Sequence, residues 1–155
     1  MEVSIYIKSQ FRGNSRGAGE AAAVIEYIDR FGKSHIRQQQ VRVEYETRNV
    51  MNLEITIAAM RCLVKPCRIT IFTGCDYMEN ACKLGWLKKW KQNGWKKANG
   101  QPPANVEEWR QFYMLTQIHS VTFRPYNPRH EGRLRKILEE KERISEENKG
   151  HCNGA

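Results

Sequence analysis

The chain has 155 residues, enough to enclose one hydrophobic core without disulfide or metal staples, so a single domain over residues 1–148 with a disordered tail at 149–155 is expected. Its 26 Lys and Arg against 17 Asp and Glu give a formal net charge of +9, which favours an anionic partner without separating nucleic acid from a membrane surface. The segment Met1–Lys8 lacks the long apolar run of a signal peptide or membrane span, so a cytoplasmic protein with no membrane partner is expected.

Val3, Ile5 and Ile7 alternate with Ser4, Tyr6 and Lys8, and Val41, Val43 and Tyr45 alternate with Arg42, Glu44 and Glu46; both segments have the period of a strand. Between them Ala21–Ile28 is apolar, and Phe31-Gly32-Lys33-Ser34 has the composition of a tight turn, which makes the first third a three-stranded antiparallel meander. Leu53, Ile57, Met60 and Val64 recur at helical spacing after Asn49 as a cap, and Lys65-Pro66 ends that helix. Ile69–Thr73 is short and β-branched, and pairs parallel to the first strand in a βαβ crossover. Asp76-x-x-Glu79 and Asn105-x-x-Glu108 have the form of capping boxes, with helices starting at Tyr77 and Val106, the second carrying a stripe of Val106, Trp109, Phe112 and Tyr113. Val121–Arg124 is a last strand, and Leu134, Ile137, Leu138 and Ile144 mark a last helix. Cys62, Cys67, Cys75, Cys82 and Cys152 are odd in number and contain no Cys-x-x-Cys pair, which reads as reduced thiols rather than a disulfide framework or zinc knuckle. The order of elements predicts an α/β fold with a mixed five-stranded sheet flanked by helices.

The stretch Lys83–Lys97 holds six lysines, three tryptophans and no acid. Trp86 and Trp90 share a helix face, Asn93-Gly94 ends the helix, and Trp95 opens a loop bearing Lys96 and Lys97. Such a segment can offer ammonium groups to phosphates while its indoles pack inward or against sugars. Lys88, Lys89, Trp90, Lys91, Trp95, Lys96 and Lys97 are therefore the candidate nucleic-acid contacts, with Asn14 and Asn52 as further candidates near a groove.

The run Trp86-Leu87-Lys88-Lys89-Trp90-Lys91-Gln92-Asn93-Gly94-Trp95-Lys96, followed by Asn105-Val106-Glu107-Glu108-Trp109, closely resembles the basic handle, near residues 83–105 here, of bacterial type 1 ribonucleases H. Asn52–Ala59 looks like that family's buried helix, and Ile71–Tyr77 looks like its fourth strand and turn. The resemblance implies a ribonuclease H-like fold and a site in which four carboxylates hold two divalent metals, one preparing the attacking water and the other stabilising the leaving oxygen. Residue by residue it places Lys8, Glu54, Gly74 and either Leu134 or Arg135 at the four acidic positions, so Glu54 is the only matched carboxylate. No metal site is expected, because one Glu cannot supply the oxygen set of a hard cation, and Lys8 adds a like charge. Lys8 and Glu54 are expected to form an ion pair in place of the metal. Asp76 reads as a helix cap, and His35, His119, His130 and His151 as surface or capping residues.

The leading expectation is a catalytically degenerate protein that grips an RNA–DNA hybrid or a duplex through the handle. One alternative is a protein-interaction scaffold built on the same fold. The other is an active ribonuclease with a rearranged site, which alone would need Mg²⁺ or Mn²⁺.

Overall fold

The computed structural model describes residues 1–97 and 99–147, with the side chains of the last helix described as far as Glu139. Three long strands come first: β1 (Glu2–Gly13), β2 (Gly17–Ile28) and β3 (Ser34–Glu46). They pair antiparallel, Lys8 opposite Ala22 and Ala22 opposite Gln40. The β1–β2 turn is tight enough that a Cβ on Gly17 would lie 2.2 Å from the Arg12 carbonyl oxygen, so glycine is required there. At the β2–β3 turn the Asp29 carboxylate accepts from the amides of Phe31 and Lys33, as the turn composition predicts.

Helix α1 (Arg48–Met60) then crosses to β4 (Arg68–Phe72), which lies parallel beside β1, and β5 (Ser120–Arg124) lies parallel beside β4. The sheet order is β3-β2-β1-β4-β5. Between β4 and β5 run α2 (Asp76–Lys83), α3 (Trp86–Gln92) and α4 (Val106–Ile118), and α5 (Glu131–Glu147) follows a single 3-10 turn at Pro128–His130. The meander, the crossover and the mixed five-stranded sheet agree with the sequence pattern. The expected contribution of Ile144 lies outside the described side chains, and the expected tail at 149–155 lies outside the described residues.

Alternation along β1 sends its residues to two cores. Val3, Ile5 and Ile7 face α1 and α4, where they meet Leu53, Ile57, Trp109 and Phe112; Tyr6 faces α5, with Ala22, Val24, Leu134, Ile137 and Leu138. Each such side chain contributes about 1.5–3 kcal/mol of burial, so both faces resist displacement of the strand between them. Lys8, two residues beyond Tyr6, is thereby held on the α5 side.

Three local expectations are corrected. The cap of α1 is Thr47, whose hydroxyl accepts from the Val50 amide at 3.1 Å, and Asn49 lies inside the first turn. That helix stops at Met60, before the apolar stripe is complete, which leaves Val64 90% exposed. Neither capping box forms: α2 begins at Asp76 itself with Cys75 before it, and Asn105 precedes α4 in a left-handed conformation, without a side-chain cap bond in either case.

Candidate functional site

The parallel register aligns three strand ends. Tyr6 pairs with Phe72 and Phe72 with Arg124, so two residues further on Gly74 and Tyr126, just past the ends of β4 and β5, stand level with Lys8 of β1. All three line a cleft of about 420 Å³, together with Arg48, Asn49 and Asn52 of α1 and Cys75, Asp76 and Tyr77 at the start of α2. Crevices at the carboxyl ends of parallel strands are where open α/β sheets bind ligands.

At this cleft the Lys8 ammonium lies 3.0 Å from Glu131 Oε1, and its Nζ sits 5.5 Å from the centre of the Tyr126 ring. Glu131 also accepts from Arg135 at 3.0 Å and from the Tyr126 hydroxyl. Lys8 first, and Arg135 with it, hold the Glu131 carboxyl below its ordinary range. The expected Lys8–Glu54 pair is therefore replaced by Lys8–Glu131. Glu54 points to a different neighbourhood, where burial above all, and then the charges of Glu108 and Glu46, raise its carboxyl. Of α1 it is Arg48, Asn49 and Asn52 that line the cleft, and Asn52 is 3% exposed with its Nδ2 donating to the Arg48 carbonyl. Glu54 is two residues away, about 200° around the helix.

Leu134 is fully buried against Tyr6, Ala22 and Val24, whereas Arg135 is exposed and reaches the carboxylate bound to Lys8; neither is among the residues that line the cleft. Asp76 is exposed at the cleft in the first turn of α2, where the helix dipole favours it, and it is not the cap. An ammonium, a carboxamide, a glycine and a guanidinium do not fit a hard divalent cation, which requires several oxygen ligands. Among the described residues there is no group of three His, Cys, Asp or Glu side chains arranged to hold a metal.

The basic segment folds in two pieces, with Gly85 in a left-handed turn between α2 and α3 and Gly94 after α3. Lys88, Lys89, Lys91, Lys96 and Lys97 are all exposed, and none of them has an acid within ion-pair distance among the described residues. Trp90 is half-buried, edge-on to Trp109 with ring centres 5.6 Å apart. Trp95 is a correction: it is 9% exposed, T-shaped against Tyr113, and belongs to the core rather than to a contact surface. Asn14 is exposed in the β1–β2 turn. A second groove, lined by Arg16, Asn49, Tyr77, Ala104, Asn105 and Trp109, adjoins the first through Asn49 and Tyr77.

No local pattern in the chain signals the ion cluster around Glu26 on the α5 side of the sheet. Glu26, 4% exposed on β2, accepts from Arg129 at 2.8 Å and from Ser34 at 2.6 Å, and its Oε1 lies 3.0 Å from His130 Nε2. These contacts, Arg129 first, hold the Glu26 carboxyl down at about 2. His130, expected in a surface or capping role, is packed edge-on against Tyr6, and buried His119, the C-cap of α4, accepts the Cys67 amide through Nδ1.

A mixed sheet with this strand order, one face on α1 and α4 and the other on α5, with a cleft beyond three aligned strand ends, defines a ribonuclease H-like fold. The sequence profile described as RNase H matches residues 2–136. Ribonuclease H of Lachnoclostridium phytofermentans is 34% identical over 123 residues, covering 79% of this chain and 78% of that protein. The chain belongs to the RNase H family. Its fold is similar to that of LC9-RNase H1, a type 1 RNase H with the type 2 active-site motif, at a TM-score of 0.70 and 23% identity over 87% of this chain and 69% of the other. It is also similar to the foamy viral protease-reverse transcriptase in complex with RNA/DNA hybrid, at a TM-score of 0.60 and 14% identity over 84% of this chain and 18% of the other. Among the described residues no helix is long and apolar enough to cross a membrane.

Proposed function

We propose that this RNase H-family protein binds nucleic acid, an RNA–DNA hybrid or a duplex, without cutting it. The observation that carries this reading is the Lys8–Glu131 ion pair, 3.0 Å long, at a cleft that Lys8 lines together with Asn52 and Gly74. A cation already neutralises Glu131, and Asp76, the acid that lines the cleft, cannot alone supply the oxygen set of the two metals that would activate water and stabilise the leaving group. The grip is assigned to Lys88, Lys89, Lys91, Lys96 and Lys97, exposed cations free to contact phosphates, with Trp90 as their aromatic support. The free thiols of Cys62, Cys67, Cys75 and Cys82 are in keeping with a reducing, cytoplasmic setting.

The test is a hybrid binding and cleavage assay at two salt concentrations, with and without Mn²⁺. Binding that weakens steeply with salt and no cleavage support the proposal; cleavage abolished by chelator overturns it in favour of a rearranged active site. A scaffold role is the second reading, favoured by a groove of about 590 Å³ where Met1, Tyr27, Ile36, Leu63 and Val64 meet beside edge strand β3. Unchanged cellular function after neutralisation of the handle lysines would select it.

A further inference from the structure

We infer that β3, an edge of the sheet, pairs antiparallel with β3 of a second copy of this chain across a two-fold axis at Gln40, joining two five-stranded sheets into one. The pairing does not depend on the nucleic-acid reading above.

The edge is long and open. β3 has 13 residues, Ser34–Glu46, where β5 at the other edge has 5, and Val43 alone among the residues of β3 is buried. The strand holds no Lys and no Pro, residues that commonly blunt an edge, and its register against β2 is unbroken from Ser34 to Val43. Antiparallel pairing along it would form about ten main-chain hydrogen bonds, the number found in an ordinary protein interface.

The strand is also complementary to itself. Gln40 is the midpoint of Ser34–Glu46, so an axis there gives every residue of the strand an opposite number. Gln38 then faces the second copy's Arg42, Arg37 faces Val43 and Ser34 faces Glu46, with no like charges opposed. An axis at Arg37 or Arg42 would instead set a guanidinium against itself. Gln40 Oε1 is buried with no hydrogen-bond partner among the described residues, and across the axis the second copy's Gln40 comes to a Cβ distance of about 4.5–5.5 Å, close enough for the two amides to bond. The basic end of the strand, Lys33 and Arg37, meets the acidic end, Glu44 and Glu46, which its own chain engages through the surface pairs with Arg42 and Arg16.

Tyr45, 70% exposed, gains a seat in this register. It falls opposite the second copy's His35, which stacks on Tyr27 at 5.8 Å and lines the groove of about 590 Å³ beside β3. Like faces of the two sheets stay together about such an axis, so the two handles, packed on the α1 side of each core, face the same way.

The test is sedimentation equilibrium of the full chain over a concentration series, where the mass is expected to rise toward twice 18.2 kDa. Each copy carries a formal +9, so association should strengthen from low to moderate salt, opposite in sign to nucleic-acid binding. Gln38→Lys sets an ammonium against Arg42 at two symmetric places and should weaken the dimer roughly tenfold, whereas Gln38→Glu should tighten it by a similar factor. Gln38 is exposed, and thermal unfolding checks that both variants fold. Amide exchange on the parent needs no variant: protection of 34–46 should rise with protein concentration while that of β5 stays constant. A single-chain mass throughout overturns the pairing and leaves the edge to an extended segment of another protein. A dimer indifferent to both Gln38 variants, or moved the same way by both, overturns this interface, as does concentration-independent exchange in β3.

Discussion

Glu26 on β2 and Arg129 in the turn before α5 are joined at 2.8 Å across 103 residues of sequence, with the Glu26 side chain 3% exposed and that of Arg129 50% exposed. The pair anchors the turn that delivers Glu131 to Lys8, so the ordering of the cleft depends on a contact made on the opposite side of Tyr6.

Acid should therefore loosen the protein in a defined window. The Glu26 carboxyl sits at about 2 when folded and returns to the ordinary range near 4.5 when unfolded. A depressed folded value stabilises the native state above the unfolded value and loses that contribution as pH falls through the folded one. About 3 kcal/mol is at stake, to be lost between roughly pH 4.5 and 2. Denaturant unfolding over that range should show the drop in the parent and a flatter curve in Glu26→Gln, which starts lower at neutral pH because it leaves the buried cluster incomplete.

A metal site should be recoverable by substitution, because the fold leaves room for one. A Cβ on Gly74 would meet nothing within 4 Å, so an Asp can be accommodated there without displacing the backbone. Lys8→Asp, Asn52→Glu, Gly74→Asp and Arg135→Asp together are expected to give Mg²⁺ binding by titration calorimetry and Mg²⁺-dependent cleavage of a hybrid on a gel, neither of which is expected of the parent under the proposed reading. The same set with Asn52 left in place, so that the native Glu54 is the only acid on α1, should give neither, since Glu54 is turned about 200° around the helix from Asn52.

The strands, the crossover and the handle were legible because period-2 alternation, β-branched runs and the lysine–tryptophan spacing are local signals. The helical phase of the site was not. Glu54 attracted the assignment because it is a carboxylate close to the expected position, whereas the cleft is faced by Asn52, whose identity carries no signal of a lost acid. Thr47, two residues before Asn49, is the cap, a shift of start that composition does not encode. The Glu26–Arg129–His130 cluster joins residues more than a hundred apart, and only tertiary packing brings them together.

Trp95 separates packing from gripping within the handle. Its ring is 5.6 Å from that of Tyr113 and 5.9 Å from the Arg110 guanidinium, in the core and not at the surface. Trp95→Ala is expected to cost about 3 kcal/mol, lowering the thermal midpoint by roughly 6–12 °C. Hybrid affinity measured well below that midpoint should change less than in a Lys88/Lys89/Lys91→Gln variant, whose own midpoint should stay close to the parent's.

Glu54 should behave as a strained structural acid rather than as part of a reaction centre. Burial and the neighbouring charges of Glu108 and Glu46 raise its carboxyl above the ordinary value. A raised folded value means that protonation favours the native state: that advantage is complete below the unfolded value and disappears as pH rises through the folded one. At neutral pH the ionised side chain is therefore a small liability, and Glu54→Gln should unfold later than the parent by an amount within about 1 kcal/mol, the scale of like-charge contacts near a surface. The difference should shrink as pH is lowered through the carboxylate range, because the parent's carboxyl takes up its proton there. A parallel binding series should find hybrid affinity unchanged, because Glu54 does not line the Lys8 cleft; loss of stability at neutral pH, or loss of hybrid binding in a folded variant, would instead place Glu54 in a favourable contact.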